Sequence, residues 1–156
     1  MLIVPLAFTI RRAELDDAAA ICDIASASPT AGQWTRQTYD SAIQSAARLV
    51  LVAMAGDQIA GFVVASTASP EWELENIAVA ASSRRQGVGR RLMEALIEHA
   101  RQAGACEIRQ EIRASNLAAQ RLGQVIGFRQ QGKRPAYYRD PQEDALLFNY
   151  LLCQPK

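Results

Sequence analysis

The stretch Asn76-Ile77-Ala78-Val79, followed by Arg84-Arg85-Gln86-Gly87-Val88-Gly89-Arg90-Arg91-Leu92, decides how this 156-residue chain folds. Its first part is an apolar run that predicts a β-strand. After Gly87, apolar residues recur at helical spacing, at Val88, Leu92, Ala95, Leu96 and Ala100, which predicts a helix with one buried face. The stretch is therefore expected to form a strand, a short basic turn and a helix.

The start of this helix is suited to an anion, because its first N–H groups have no partner within the helix and the dipole is positive there. Gly87 and Gly89 carry no side chain that would hold a phosphate oxygen away from the backbone. These residues alone leave two interpretations open, a phosphate site or only a strand-to-helix turn. A P-loop is excluded because no Gly-Lys-Ser/Thr follows, and Leu92 stands where a dinucleotide fingerprint needs its third glycine.

Arg84-x-x-Gly87-x-Gly89 matches the Arg/Gln-x-x-Gly-x-Gly/Ala signature of the GNAT acyl-CoA-dependent N-acyltransferases. The resemblance covers roughly residues 73–151, about half of the chain. Within the family, the chain most resembles the bacterial ribosomal-protein-alanine N-acetyltransferases (the RimI-like group). The motifs that carry this likeness are Asn76-Ile77-Ala78-Val79, Glu111-Ile112-Arg113-Ala114-Ser115-Asn116, Gly127-Phe128, Tyr137-Tyr138 and Glu143-Asp144-Ala145.

The composition is that of an ordinary globular protein, with 49% hydrophobic and 21% charged residues. A net charge of +1 argues against bulk attraction to nucleic acid. Cys22, Cys106 and Cys153 form no CxxC pair, so neither a metal site nor a disulfide framework is expected, and reduced thiols of a cytoplasmic protein are the default. Met1 to Leu6 is too short and lacks the basic lead of a signal peptide or membrane span.

The order of predicted elements is β-α-α-β-β-β-α-β-α-β-β over one domain, residues 1–156. It predicts an α/β (α+β) fold with one mixed sheet, and this is also the GNAT order. The resemblance implies a mostly antiparallel sheet of about seven strands, splayed at strands 4 and 5, with about four helices. The expected elements include a helix over 14–28 with Leu15 on its apolar face, and a helix over 36–47 with Thr35 as N-cap. A tight hairpin is expected at Gly56-Asp57, a bulge or close backbone approach at Gly61, and a C-cap at Gly104. Final strands over 128–131 and 145–152 are expected to be joined by a long loop.

The resemblance implies an enzyme that moves acetyl from acetyl-CoA to a primary amine, without a metal. Pyrophosphate is expected on the turn and helix start, and the pantetheine arm along the edge of the preceding strand. Asn116 matches the family residue whose side-chain amide meets the cofactor arm, although helix capping is its alternative role. The implied cofactor-binding residues are Ile77, Ala78, Val79, Arg84, Arg85, Gln86, Gly87, Val88, Gly89, Arg90 and Asn116.

Glu111 aligns with the family's proton acceptor in the Glu-x-Arg-Ala-Ser-Asn stretch, and we expect it to be the general base. Alternation places it on the strand face opposite Gln110 and Ile112. The residues alone favour another interpretation, a solvated strand face with Glu111 paired to Arg109 or Arg113. Glu73 and Glu75 are second choices for holding a water or the ammonium of the acceptor.

The family's general acid is a Tyr in Ala-Leu-Tyr-x-x-x-Gly-Phe, and Gly123 stands at that position here. Three accounts remain open. Tyr137 or Tyr138 supplies the proton from a later segment, or the thiolate leaves unprotonated, since its usual pKa is only about 8.5. The third account is an enzyme that is slow, altered in substrate or inactive.

The expected acceptor is the N-terminal α-amine of a protein such as a ribosomal protein. Two alternatives are a small amine or amino acid, and, in another class, a catalytically weak acyl-CoA-binding module. Neither nucleic acid nor membrane is expected as a partner, and both a monomer and a homodimer are compatible with the sequence. The candidate acceptor-side residues are Trp34, Glu73, Glu75, Tyr137 and Asp144, although Trp34 also suits the core and Asp144 an ordinary polar loop.

Overall fold

The computed structural model describes residues 7–153, so the expectation for Met1 to Leu6 lies outside the described residues. The described chain contains seven strands, four α-helices and two short 3-10 helices, Leu15–Asp17 and Ala81–Ser83. In chain order, the strands and α-helices are β1 Thr9–Arg12, α1 Ala18–Ser26, α2 Arg36–Gln44, β2 Arg48–Ala55, β3 Gln58–Ser66, β4 Glu71–Val79, α3 Val88–Gln102, β5 Glu107–Arg113, α4 Leu117–Ile126, β6 Arg129–Tyr138 and β7 Glu143–Leu151.

The strands form one sheet in the order β1-β2-β3-β4-β5-β7-β6. All neighbouring pairs are antiparallel except β4 and β5. These two strands pair only from Glu71–Glu107 to Leu74–Gln110, although both continue for several residues. The predicted mixed sheet of seven strands, splayed between strands 4 and 5 and accompanied by four helices, is thus confirmed.

Two apolar layers cover the sheet. On one face, α3 and α4 pack over residues such as Leu51, Ile108 and Phe148, while α1 and α2 pack over Val52 and Phe62 on the other. The register of β4 against β3 shifts between Leu74 and Asn76. Such a bulge changes which face successive side chains point to, so Leu74 belongs to the first layer and Ala78 to the second.

The α3 helix is amphipathic, as its spacing predicts. Its buried residues are Val88, Leu92, Met93, Leu96, Ile97 and Ala100, and Gly104 follows the helix with φ of 77°, as predicted for a C-terminal cap. Gly61 in β3 lies beneath this helix. A Cβ there would come within 2.9 Å of the Ala78 carbonyl oxygen, so the close backbone approach predicted for this glycine is confirmed.

Three predicted boundaries were wrong. β6 continues to Tyr138, because Lys133 and Arg134 pair with β7. The long loop predicted between the last two strands is therefore only the short connection 139–142. The second helix ends at Gln44 rather than Ala47, although its predicted N-cap is confirmed by the Thr35 hydroxyl accepting from the Thr38 N–H. The first helix begins at Ala18 rather than Glu14, and Leu15 is 44% exposed because it begins a 3-10 turn before that helix.

Cys106 and Cys153, distant in sequence, meet at one end of the sheet with 3.0 Å between their sulfur atoms. Both are free thiols at the exposed surface. None of the helices between residues 7 and 153 has the length and apolar character needed to cross a membrane.

Candidate functional site

An open cleft of about 660 Å³ occupies the space where β4 and β5 separate. Its walls are the second halves of these strands, 74–79 and 110–113. The loop 29–33 between α1 and α2 borders the cleft, as does the first part of α4. The cleft therefore brings together residues from both layers that cover the sheet.

The β4 edge of the cleft offers backbone groups that no neighbouring strand pairs with. Beyond Leu74 the strand pairs only with β3, through Ile77 with Val63, Ala78 with Phe62 and Val79 with Gly61. The Ala80 N–H donates to the Ala60 carbonyl, so alternation directs the backbone N–H and C=O of Ile77 and Val79 into the cleft and those of Ala78 toward β3. An extended ligand rich in amides fits such an edge.

The turn before α3 closes one end of the cleft. Arg85 and Gly87 have φ of 63° and 83°, and Gly87 is the N-cap of α3. Left-handed residues in such a turn direct successive N–H groups inward, which creates a concavity suited to an anion. Arg84 and Gly89 line the cleft. The Arg84 guanidinium donates to the Val79 carbonyl and the Ser28 hydroxyl, each at 3.4 Å.

The other residues of the turn are placed around this concavity. Arg90 pairs with Glu94 on the helix surface at 2.7 Å, Val88 is buried in the core, and Gln86 donates to the Ser82 carbonyl at 3.2 Å. Gly89 also permits α3 to approach α4, since a Cβ there would lie 3.2 Å from Leu122 Cδ2. The two interpretations of the glycines, a strand-to-helix turn and a phosphate site, thus both have a geometric basis.

Asn116 caps α4 and also lines the cleft. Its Oδ1 accepts from the Ala119 N–H at 3.2 Å. Because the cap uses only the oxygen, the side-chain NH₂ is left to donate to a ligand. The capping role and the ligand-binding role predicted for this residue are therefore compatible.

Asn76 holds the loop 29–33 against the cleft. It is 4% exposed, and its Oδ1 accepts from the Gly32 N–H at 3.0 Å while its NH₂ donates to the Gly32 carbonyl at 3.1 Å. The same NH₂ donates to the Tyr39 hydroxyl at 3.0 Å. One buried amide therefore fixes the loop to the central strand and to α2.

Glu111 lies on the cleft wall opposite β4, with its side chain 25% exposed. Its carboxylate lies 3.6 Å from the guanidinium of Arg134 on β6. The partners expected from the sequence bind elsewhere, because Arg109 contacts Glu107 at 2.7 Å and Arg113 contacts Glu143 at 3.2 Å.

Tyr138 lines the cleft, whereas Tyr137 lies outside its wall and is 48% exposed. Partial burial raises the pKa of Tyr138, and the negative charge of Glu111 raises it further, against the opposite effect of Arg113. The Arg113 guanidinium sits 4.2 Å above the Tyr138 ring, which fixes the ring by a cation–π contact. A raised pKa keeps the phenol protonated at neutral pH.

The two other acidic candidates of β4 differ in their surroundings. Glu75 lines the cleft and is held by Arg48, with Nε–Oε1 of 2.8 Å and Nη2–Oε2 of 3.1 Å. Glu73 lies outside the cleft wall. Partial burial of its carboxyl raises the pKa of Glu73, and the charges of Glu111 and Glu75 raise it further. Glu73 therefore belongs to the same electrostatic group as Glu111.

Trp34 and Asp144 do not line the cleft. Trp34 is half-buried and packs on Tyr39, with 5.3 Å between the ring centroids. Asp144 braces the last hairpin, since its Oδ1 accepts from the Ala136 N–H at 2.9 Å. Its neighbour Glu143 likewise accepts from the Ser115 N–H at 2.6 Å. The core and polar-loop interpretations of these residues thus have structural support.

Three residues of the site were missed from the sequence. Arg134 fell in a segment that was predicted to be a loop, and Asn76 was considered only as part of an apolar strand. Gln110 lines the cleft although it lies on the buried face of β5. A polar residue at a buried strand position was the available signal for both Asn76 and Gln110. Residues 7–153 contain no cluster of three or more His, Cys, Asp or Glu side chains placed to hold a metal.

Comparison with known proteins agrees with this geometry. Residues 18–128 match the model of the acetyltransferase (GNAT) family. The ribosomal protein bS18-alanine N-acetyltransferase of Escherichia coli (strain K12) is 34% identical over 116 residues, which are 73% of this chain and 78% of that protein.

Solved structures show the same fold. The ribosomal-protein-S18-alanine N-acetyltransferase from Escherichia coli superposes with a TM-score of 0.85 at 30% identity, covering 96% of this chain and 97% of that one. The Ard1 protein from Thermoplasma volcanium also gives a TM-score of 0.85, at 27% identity, over 95% and 99% of the two chains. With the family match over most of its length and a splayed sheet of the same topology, the chain belongs to the acetyltransferase (GNAT) family.

Proposed function

We propose that this acetyltransferase transfers acetyl from acetyl-CoA to the N-terminal α-amine of a protein, with alanine as the preferred first residue. The observation that carries the proposal is the cleft between β4 and β5, which has Glu111 and Tyr138 on its walls and is bordered by elements of both sheet faces. The alanine preference rests on the relatives, which are named for alanine N-acetylation.

The residues of the cleft fit acetyl-CoA, which supplies an acyl group activated as a thioester. The amide-rich arm suits the free β4 edge at Ile77 and Val79, and the NH₂ of Asn116 reaches the same space. The pyrophosphate suits the concavity at Arg85 and Gly87, where the α3 dipole adds positive potential.

Glu111 acts as the general base in this proposal. Its carboxylate takes a proton from the incoming amine, directly or through one water. The Arg134 guanidinium contacts this carboxylate at 3.6 Å, and the nearby acidic group of Glu73 favours a cationic acceptor.

Tyr138 acts as the general acid. The family's tyrosine position holds Gly123, and Tyr138 reaches the cleft from the end of β6 instead. Its raised pKa keeps the Oη proton in place until the leaving sulfur of the donor accepts it. Tyr137 lies next to Tyr138 but outside the cleft wall, with 5.2 Å between the two ring centroids.

The acceptor's N-terminus enters from the side of the loop 29–33. Glu75, neutralised by Arg48, marks this side of the cleft. The loop is fixed by Asn76, so its shape is set before the peptide arrives.

The test is release of CoA thiol from acetyl-CoA with a peptide that begins with alanine, beside the same peptide blocked at its N-terminus and a panel of small amines. We expect turnover on the free peptide only. Glu111→Gln is expected to lower kcat by roughly 100-fold or more while CoA still binds, and Tyr138→Phe to lower kcat with little change in KM.

Glu98→Gln is the matched control, since Glu98 lies on the outer surface of α3, where it contacts Arg101. Turnover on small amines but on no peptide would establish the small-molecule alternative. Tight binding of acetyl-CoA without turnover on any amine would make the protein a binding module. A wild-type protein that fails to bind CoA would overturn the cofactor site itself.

A further inference from the structure

Among residues 7–153, Gln110 is the one residue with a buried polar side-chain atom that has no hydrogen-bond partner. That atom is Oε1, and the residue as a whole is 6% exposed. Its strand neighbours on the same face, Ile108 and Ile112, are buried and apolar. A buried amide oxygen without a partner is costly, and native proteins seldom keep one.

The position of Gln110 explains where a partner can come from. Leu74–Gln110 is the last pair of β4 and β5 before the two strands separate. Phe148 lies opposite on β7, so apolar residues flank Gln110 on both neighbouring strands. Gln110 also lines the cleft, so a ligand bound there can supply the missing partner.

Alternation along β5 separates Gln110 from the proton-transfer residues. Ile108 and Ile112, which share its face, belong to the layer under α3 and α4, and Glu111 points to the other face. Asn116 and Leu122 of α4 line the cleft on the Gln110 side. This is the side on which our proposed function places the acyl donor, and the loop 29–33 of the acceptor side lies across the sheet.

We propose that the Gln110 side chain binds the amide of the pantetheine arm that lies next to the thioester. This inference rests on the proposed function. A carboxamide offers an acceptor and a donor together, which match the N–H and C=O of one secondary amide. The acetyl group has no N–H or O–H, so the arm is the part of the donor that can satisfy Oε1. A turn about the terminal torsions, which are soft, carries the amide into the cleft.

The inference predicts that an apolar replacement of Gln110 raises the stability of the free protein but lowers its affinity for the donor. Without ligand, Gln110 leaves a polar atom unpaired, so an apolar replacement of similar shape removes a cost from the free protein. With ligand, the same replacement removes a hydrogen bond. A residue that merely supported the fold would lower both quantities when replaced.

The experiment compares wild type with Gln110→Met by calorimetry with CoA and with adenosine 3′,5′-bisphosphate, a fragment that lacks the pantetheine arm. We expect Gln110→Met to weaken CoA binding by roughly tenfold, to leave the affinity for the fragment unchanged, and to raise Tm of the free protein by a few degrees. Gln124→Met is the matched control at an exposed position on α4. Gln110→Leu repeats the test with a second apolar side chain.

Equal CoA affinity of wild type and both variants would overturn the inference and leave the proposed function standing. A lowered Tm with weaker binding of both CoA and the fragment would assign Gln110 a structural role and also overturn it. Wild-type protein that binds the fragment but gains nothing from the pantetheine arm would overturn the inference and the proposed place of the arm in the cleft, and would leave the pyrophosphate site standing. Failure of wild type to bind either molecule would overturn the inference together with the proposed cofactor site.

Discussion

Glu111 and Gln110 are adjacent in the chain and face opposite sides of the sheet. Glu111 meets Arg134 and raises the pKa of Tyr138 on one side, and Gln110 meets the apolar layer on the other. Because β4 and β5 separate at this point, both side chains adjoin the same cleft. In our proposals, these two neighbouring residues therefore serve the acceptor side and the donor side.

Gly123 tests whether the missing tyrosine matters. It is buried in α4, and a Cβ there would lie 3.4 Å from Phe128 Cβ, an ordinary contact. We expect Gly123→Ala to raise the free energy of unfolding by about 1 kcal/mol, because alanine is the better helix former. Since Tyr138 supplies the proton in our proposal, kcat is expected to stay near the wild-type value. Urea unfolding and the CoA-release assay measure the two quantities.

Gly123→Tyr serves as the second arm of this test. A side chain at position 123 leans toward the helix N-terminus and thus toward Ala119 on the cleft wall. If this variant raised kcat several-fold, the wild-type enzyme would be short of an acid, and the assignment of Tyr138 would be wrong. Lower stability of Gly123→Ala would show that Phe128 is too closely packed to accept a methyl group.

At the scale of the elements, the junction between β1 and α1 depends on Asp17. Its carboxylate accepts from Arg11 at 2.7 and 2.9 Å and from the Glu14 N–H at 2.7 Å. The hydrogen bond from Arg11 is the main cause that holds the pKa of Asp17 below its usual value. A carboxyl with a lowered folded-state pKa adds stability at pH values above its unfolded pKa and loses it as pH falls through the folded pKa.

We therefore expect Asp17→Asn to lower the free energy of unfolding by about 1–2 kcal/mol at pH 7, allowing for the exposure of Arg11. The difference from wild type should shrink as the pH falls below about 4. Urea unfolding at a series of pH values measures it, with the exposed Asp23→Asn on α1 as control. If the difference in unfolding free energy stayed constant down to pH 2, the lower stability of Asp17→Asn would come from altered packing or hydrogen bonding and not from the lost charge.

Local signals were sufficient for most elements. The periodicity of α3, the Thr35 cap and the Gly56-Asp57 hairpin each depend on residues close in sequence, and all were predicted. The hairpin of β6 and β7 was not, because ten residues with an almost wholly exposed pattern carry no apolar alternation. Because this hairpin was not predicted, neither the place of Arg134 nor the contact of Tyr138 with Arg113 could be predicted, since both depend on pairing across strands.

Side-chain contacts between residues far apart in the chain could not be predicted from the sequence either. The bond between Asn76 and Gly32 joins residues 44 positions apart, and that of Arg48 with Glu75 joins residues 27 apart. Periodicity indicates which face a residue takes but not which residue it meets. The family motif indicated Glu111 and Asn116, and the splay of β4 and β5 shows why they adjoin one space.

For the molecule as a whole, our proposal is that the cleft binds both reactants. It places the donor beside α4 and the α3 turn, and the acceptor beside the loop 29–33, all of which border the cleft. The cysteines lie elsewhere, since Cys22 is on α1 and the pair Cys106 and Cys153 is at one end of the sheet. No cysteine, lysine or histidine is found on the cleft wall as formed by residues 7–153.

This arrangement predicts direct transfer with both reactants bound, because proximity in one cleft removes the need for an acylated protein side chain. Initial rates at varied acetyl-CoA and peptide concentrations should give intersecting double-reciprocal lines. Labelled CoA should not exchange into acetyl-CoA when the peptide is absent, and Glu111→Gln should lower the rate without changing this pattern. Parallel lines, together with exchange in the absence of peptide, would instead require a covalent acyl-protein, and the pairing of Glu111 with Tyr138 as base and acid of one step would then be wrong.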